Sequence, residues 1–262
     1  MGELSFVGLG LYDEKDLSLK ALEELKSADK IFAEFYTSKL VGTTIEKLES
    51  LIGKKIELLN REEVESGEKI IEEAKVKRVV FACAGDTMMA TTHLALRLQA
   101  IDNKIKTRII HGCSILSVVP SLLGLQHYKF GKVASLPFPE HVAFPESCYD
   151  GIKENKGLGL HTLVILDLKA GKFMTANEAL KILLELESRK KQNVVTPETL
   201  VCVVARASSE EPLCRAGHVK NLLTENFGQP LHCLVIPGKL HFLEAESLVK
   251  IAGAPEEIMG RA

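Results

Sequence analysis

The sequence predicts an α/β protein of two domains, with a parallel sheet in the N-terminal one. Three observations carry this reading. Short apolar strands alternate with helical segments through residues 1–113, the run RVVFACAG (78–85) is apolar without a break, and the texture changes beyond residue 113. Alternation of that kind builds a parallel sheet through crossover helices. An unbroken apolar run suits a strand covered on both faces. At 262 residues the chain can hold two such domains, read as 1–113 and 114–262, with cores that need no covalent staples.

In order, LSFVG (4–8) is the first strand. Residues 17–28 are helical, with Leu17, Leu22 and Leu25 on one side, and IFAEF (31–35) is the second strand. Thr43-Thr44-Ile45-Glu46 opens a helix as a capping box: a Thr oxygen takes an orphan amide and Glu46 reaches back. Gly53 ends that helix, KIELL is a third strand, and Asn60 with Glu63 repeats the cap before a charged helix to about Val76. The apolar run at 78–85 is the fourth strand, followed by a helix near 91–100 and a strand near 108–111.

The second half begins with a helix at 114–123 and an aromatic- and proline-rich stretch over 128–149, with a short helical piece near 147–155. HTLVILDLKA (161–170), TLVCVVARA (199–207) and LHCLVIPG (231–238) are strands. Thr175 and Glu178 box the start of a helix to about Lys190, and helices are expected near 218–225 and 242–252.

The 33 basic residues against 35 acidic ones leave a formal net charge of -2, which excludes a polycationic nucleic-acid surface. No apolar run has the length of a bilayer span, and the N-terminus lacks a basic leader, so a soluble, cytoplasmic protein is expected. Cys83, Cys113, Cys148, Cys202, Cys214 and Cys233 are scattered with no C-x-x-C pair, as for free thiols in a reducing compartment. The linear spacing shows no clustered zinc ligands, and no metal is expected.

In open parallel sheets, ligands bind beyond the carboxyl ends of the strands. Three segments occupy such positions in the first half: Gly8-Leu9-Gly10-Leu11-Tyr12-Asp13, Ala84-Gly85-Asp86-Thr87, and His111-Gly112-Cys113-Ser114-Ile115. In the second half the candidates are Leu166 to Lys169, Arg206 with Ala207, and His232. Gly8-x-Gly10 with Glu34 at the end of strand two invites a dinucleotide reading. The third glycine of that fingerprint is absent, Asp13 standing in its place, and Asp13 and Glu14 put negative charge where a pyrophosphate would dock. A ligand without phosphates, or a cationic one, meets no such objection.

The segments FVGLGLYDEKDLSLKALE, FAEFYTS, AGDTMMATTH, HGCSI, HYKFGK, TANEAL and PGKLHFLEAE, in that order, closely resemble the diphthine synthase family. That family belongs to the superfamily of corrin and porphyrin methylases. The likeness runs over about residues 4–257; the family's PGDP-like loop is AGDT here, with Asp86 kept. The resemblance implies two α/β domains, a parallel sheet in the first and a mixed sheet in the second, with the active cleft between them. It implies a homodimer that uses S-adenosylmethionine (SAM), releases S-adenosylhomocysteine, and acts on elongation factor 2. It places cofactor contacts on Leu11, Asp86, Met89, Ser114, Ile115, Leu166, Ala207 and His232.

The implied acceptor is the amine of a 3-amino-3-carboxypropyl group on a histidine of that factor, methylated three times to give diphthine. A neutral amine attacks the methyl in line, so charge moves from sulfur to nitrogen and alignment is the main requirement. The first two methylations release a proton, and no side chain is singled out as the base. Glu34, Tyr36 and Lys239-Leu240-His241 are candidates for the acceptor side, and Arg206 or Lys169 for the acceptor's carboxylate. Surface or core roles compete with each of these, as does plain packing for His232. The nearest rival keeps the fold and SAM but methylates a tetrapyrrole. A nicotinamide oxidoreductase and a non-catalytic SAM sensor are more distant alternatives.

Overall fold

The computed structural model describes residues 2–89, 91–139, 145–169 and 171–261. Contacts divide the chain into two units, Met1–Ile115 and Leu116–Ala262.

In the first unit, β1 (Glu3–Gly8), β2 (Lys30–Glu34), β3 (Glu57–Leu58), β4 (Arg78–Cys83) and β5 (Lys106–Ile110) form one sheet in the order β3-β2-β4-β1-β5. Every pairing in it is parallel. Successive strand side chains point to opposite faces, and both faces are covered. Val7, Ile31, Val80 and Ala82 pack with α1 (Leu19–Ser27) and α2 (Ile45–Ile52). Phe6, Phe32, Val79 and Phe81 pack with α3 (Arg61–Ser66), α4 (Glu68–Ala74) and α5 (His93–Asp102). This double burial is why β4 reads as an unbroken apolar run.

Local chemistry moves some expected boundaries. Thr44, one residue later than Thr43, caps α2 by accepting from the Lys47 amide, so Glu46 is not the box partner. The Asn60–Glu63 box at α3 forms with both bonds at 2.9 Å. The charged helix expected to reach Val76 breaks at Gly67, whose φ of 70° ends α3 and starts α4. That left-handed turn suits a residue without a Cβ.

α6 (Ile115–Leu123) leads into the second unit. There β6 (Ala134–Leu136), β7 (Thr162–Leu166), β10 (Leu200–Ala205), β11 (Leu213–His218) and β12 (His232–Ile236) form a sheet in the order β11-β10-β12-β7-β6. Only β6–β7 is parallel, so the sheet is mixed. α7 (Glu146–Gly157), α8 (Ala176–Lys190) and α9 (Val219–Leu222) contribute Ile152, Leu183 and Leu222 to its core. α10 (Phe242–Ala252) follows β12. The expected strand 161–170 stops at Leu166, and a small hairpin of β8 (Leu168–Lys169) and β9 (Lys172–Phe173) follows. Asp167 sits at that break and accepts from the Phe138 amide at 2.8 Å.

Strands β6 and β11 are absent from the expected pattern. Both are sheet edges, where a strand can be short and carry exposed polar residues such as Arg215. Residues 140–144 of the 128–149 stretch lie outside the described residues. None of the six cysteines forms a disulfide. Among the described residues no helix is long and apolar enough to cross a membrane.

Candidate functional site

At the carboxyl edge of the first sheet, the loops after β1, β4 and β5 meet backbone to backbone. A Cβ on Gly8 would stand 2.5 Å from both the Gly112 nitrogen and the Gly85 oxygen, and one on Gly112 would stand 2.3 Å from the Gly85 oxygen. Gly10 and Gly85 form an antiparallel bridge with N–O distances of 2.6 and 3.4 Å. Three segments that no side chain could enter are thus drawn into one cradle.

The first loop folds around Asp16, whose carboxylate accepts from the Leu11 amide at 2.9 Å and the Tyr12 amide at 2.7 Å. These are amides that a pyrophosphate would need, and an internal acid already occupies them. Asp13 turns to its own chain and accepts from the Lys15 amide. The segments 8–13, 84–89 and 111–115 contain no Lys or Arg. The cradle suits a ligand that is cationic rather than phosphorylated.

Asp86 is 6% exposed, and both of its oxygens are engaged: Oδ1 by the Met88 amide at 3.0 Å, Oδ2 by His111 Nδ1 at 2.7 Å. The half-buried Leu11 and Ile115 and the exposed Met89 supply apolar surface on these loops, and Ser114 lies between His111 and α6.

Beneath the loop after β4, the Thr87 carbonyl accepts from Thr91 Oγ1 at 2.6 Å and His93 Nδ1 at 2.9 Å. The other ring nitrogen, Nε2, faces Glu34 Oε1 across 3.4 Å, and both side chains are fully buried. Glu34 also accepts from the amides of Tyr36 and Thr37, each at 3.0 Å, and from the Thr37 hydroxyl. Burial pushes this carboxyl up, but His93 and Thr37 outweigh it and hold Glu34 below its usual range. Glu34 is therefore sealed inside the unit and does not present itself to an acceptor, contrary to expectation. Tyr36 is half-buried, its ring lies 5.1 Å from the Arg61 guanidinium, and burial first of all pushes its hydroxyl up to about 12.

Glu34, Cys83 and His93 bring potential ligand atoms within 4.8 Å of one another, a cluster hidden by their separation in the chain. The Glu34 carboxylate is already satisfied by protein donors, and burial pushes the Cys83 thiol well up, toward its protonated form. The group behaves as a hydrogen-bonded support for the Thr87 turn.

In the second unit, the register brings Leu166, Ala207 and His232 to one end of the mixed sheet. Ala205 pairs with His232, and Cys233 with Ile165. The His232 ring has two protein partners: Nδ1 accepts from the Ala176 amide at the start of α8, and Nε2 donates to the Gln229 carbonyl, each at 3.1 Å. Burial pushes its pKa down, so the ring stays neutral. Arg206 Nη1 donates to the carbonyls of Phe227 and Gln229 at 2.9 and 2.8 Å, so the side chain clamps residues 227–229. His241 caps α10 in a box with Glu244, the Lys239 carbonyl accepts from Lys129 Nζ at 2.6 Å, and Lys169 is exposed on β8. Sequence reasoning missed the Asp86–His111 and Glu34–His93 contacts, because pairings between strand ends have no signature in linear spacing.

Comparison with known proteins agrees with this architecture. The family model for tetrapyrrole (corrin/porphyrin) methylases matches residues 3–222. The chain is 53% identical to a diphthine synthase of Methanosarcina mazei over 98% of both chains. It is 52% identical to a diphthine synthase of Methanocaldococcus jannaschii over 94% of this chain and 97% of that one. A crystal structure of diphthine synthase superposes with a TM-score of 0.92 at 39% identity, covering 99% of each chain. The chain belongs to the tetrapyrrole (corrin/porphyrin) methylase family and, within it, to the diphthine synthases.

Proposed function

We propose that this SAM-dependent methyltransferase of diphthamide biosynthesis methylates the amine of the 3-amino-3-carboxypropyl-modified histidine of elongation factor 2, three times, to give diphthine. The observation that carries this reading is the glycine cradle at the carboxyl edge of the first sheet, acidic at Asp86 and free of Lys and Arg in its three loops. When bound, SAM supplies a methyl group on a sulfonium. Leu11, Asp86, Met89, Ser114 and Ile115 of the first unit and Leu166, Ala207 and His232 of the second are the residues proposed to hold it.

The apolar members exclude water from the acceptor nitrogen, which keeps its lone pair available. Asp86 supplies a negative charge toward a cationic ligand. A His232 ring held neutral offers a cation no opposing charge. With both ring nitrogens engaged, His232 is left its backbone and ring face for a ligand. No new charge has to be stabilised at an oxyanion, so the residues act chiefly by alignment.

We also propose a homodimer acting in the cytoplasm. The test is intact mass spectrometry of elongation factor 2 carrying the aminocarboxypropyl histidine, after incubation with SAM. The expected result is a ladder of added methyl groups ending at three, with a corrin precursor left unchanged. No added mass on the primed factor, or methylation of the corrin precursor alone, overturns the proposal.

A further inference from the structure

The contact between Asp86 and His111 joins two loops 25 residues apart in the chain, with Oδ2 and Nδ1 at 2.7 Å. Its two ends differ sharply in environment. The Asp86 side chain is 6% exposed and the His111 side chain 76%. The other Asp86 oxygen is fixed by the Met88 amide, so the carboxylate cannot swing away freely. A carboxylate only accepts, so Nδ1 carries the hydrogen. Nε2 is left as the acceptor, at the far side of the ring from the carboxylate. A buried acid that fixes the tautomer and orientation of an exposed imidazole is the arrangement by which a histidine is made a proton acceptor.

We propose that His111 is the general base of the methyl transfer and that Asp86 is the residue that positions it. This rests on the function proposed above, which puts cofactor contacts on Asp86 itself and on Ser114 and Ile115, three and four residues beyond His111. An alkyl amine near neutral pH is an ammonium and has no lone pair to attack with. His111 Nε2 takes one proton: an N–H bond of the ammonium breaks, an Nε2–H bond forms, and the electron pair stays on the acceptor nitrogen. That pair forms the N–C bond as the S–C bond breaks, and sulfur keeps the electrons of the broken bond. Asp86 faces the imidazolium so formed, which returns its proton to water from the exposed edge. The unmethylated, monomethyl and dimethyl ammonium each need one such step. The quaternary product has no N–H, and the cycle ends there.

The test compares wild type with His111→Ala and His111→Gln at saturating SAM, using single-turnover methylation of the primed factor, calorimetric SAM affinity and melting temperature. His111 is exposed, so both variants are expected to stay folded, His111→Ala with a lowered melting temperature because it leaves the buried Asp86 Oδ2 without its partner. SAM affinity should stay within about threefold of wild type while the single-turnover rate falls by about 100-fold or more. Added imidazole should restore at least about tenfold to His111→Ala and nothing to wild type. Asp86→Asn, which keeps an acceptor oxygen for the ring, should retain more rate than Asp86→Ala. A variant rate within about threefold of wild type, or a loss confined to SAM affinity, overturns the assignment. A wild-type protein that fails to methylate the factor overturns the proposed function instead, which separates the two failures.

Discussion

His93 Nε2 lies 3.4 Å from Glu34 Oε1 with both side chains shut off from solvent, while Nδ1 of the same ring holds the Thr87 carbonyl at 2.9 Å. The end of β2 is thereby tied to the turn that carries Asp86. Glu34→Ala would leave the amides of Tyr36 and Thr37 without their acceptor, at an expected cost of about 2–4 kcal/mol in urea unfolding. The two ring contacts separate with His93→Asn, which keeps a donor near Nδ1, and His93→Gln, which places its amide near Nε2. His93→Asn should keep SAM affinity closer to wild type, because it alone still holds Thr87. Equal affinities for the two variants, measured by calorimetry, would show that the Thr87 bond does not matter.

The glycine cradle predicts a sharp positional contrast. Gly8→Ala and Gly112→Ala each drive a methyl to within 2.5 Å of the neighbouring loops' backbone, which has no flexible end to yield. Both should weaken SAM binding by about tenfold or more, because the cradle must open. Gly151→Ala in α7 meets nothing within 4 Å and should stabilise the protein by about 0.5–1 kcal/mol. Thermal melts and SAM titrations of the three variants check this, and normal SAM binding by Gly112→Ala would refute it.

Glu244 makes acid stability a property of the second unit. Its side chain is fully buried and accepts from His161 Nε2 at 3.0 Å, the Gln126 amide at 2.9 Å, the His241 amide at 2.8 Å and Lys129 Nζ. Burial alone would raise this carboxyl, but its hydrogen-bond donors, Lys129 foremost, bring it down to about 2 from an ordinary 4.5. A carboxyl depressed in the folded state contributes stability in full above the unfolded value. That contribution is lost as pH falls through the folded one. Wild type should therefore lose up to about 3 kcal/mol between pH 4.5 and pH 2 on this account. His161, pushed down by burial, acts in the same direction below its ordinary 6.5. In Glu244→Gln the steep part of that loss should be missing, although the variant starts less stable at neutral pH. Identical acid profiles in chemical denaturation would contradict it.

Much of the first unit was legible from its strands, because burial on both faces leaves an apolar signature in β1, β2 and β4 that needs no partner to be read. The caps at Asn60 and Thr175 were legible for a similar reason: a capping box closes within four residues. The edge strands β6 and β11 were not, since an edge is defined by its single neighbour and not by its composition. The partners of Glu34 and Arg206 were illegible on the same ground. A charged residue at a strand end looks free in the sequence, whereas here the first is sealed against His93 and the second clamps residues 227–229.

The sequence by itself determined the class of fold, the family likeness and the loops in which ligand chemistry would have to lie, because periodicity, caps and short motifs are local. Only the tertiary structure decided which atoms of those loops are already spoken for. It joined Asp86 to an exposed His111, closed Asp16 over the amides of Leu11 and Tyr12, and engaged both nitrogens of His232. The physical reason is that a hydrogen bond at a strand end depends on distance in space, and strand order, not chain order, sets that distance.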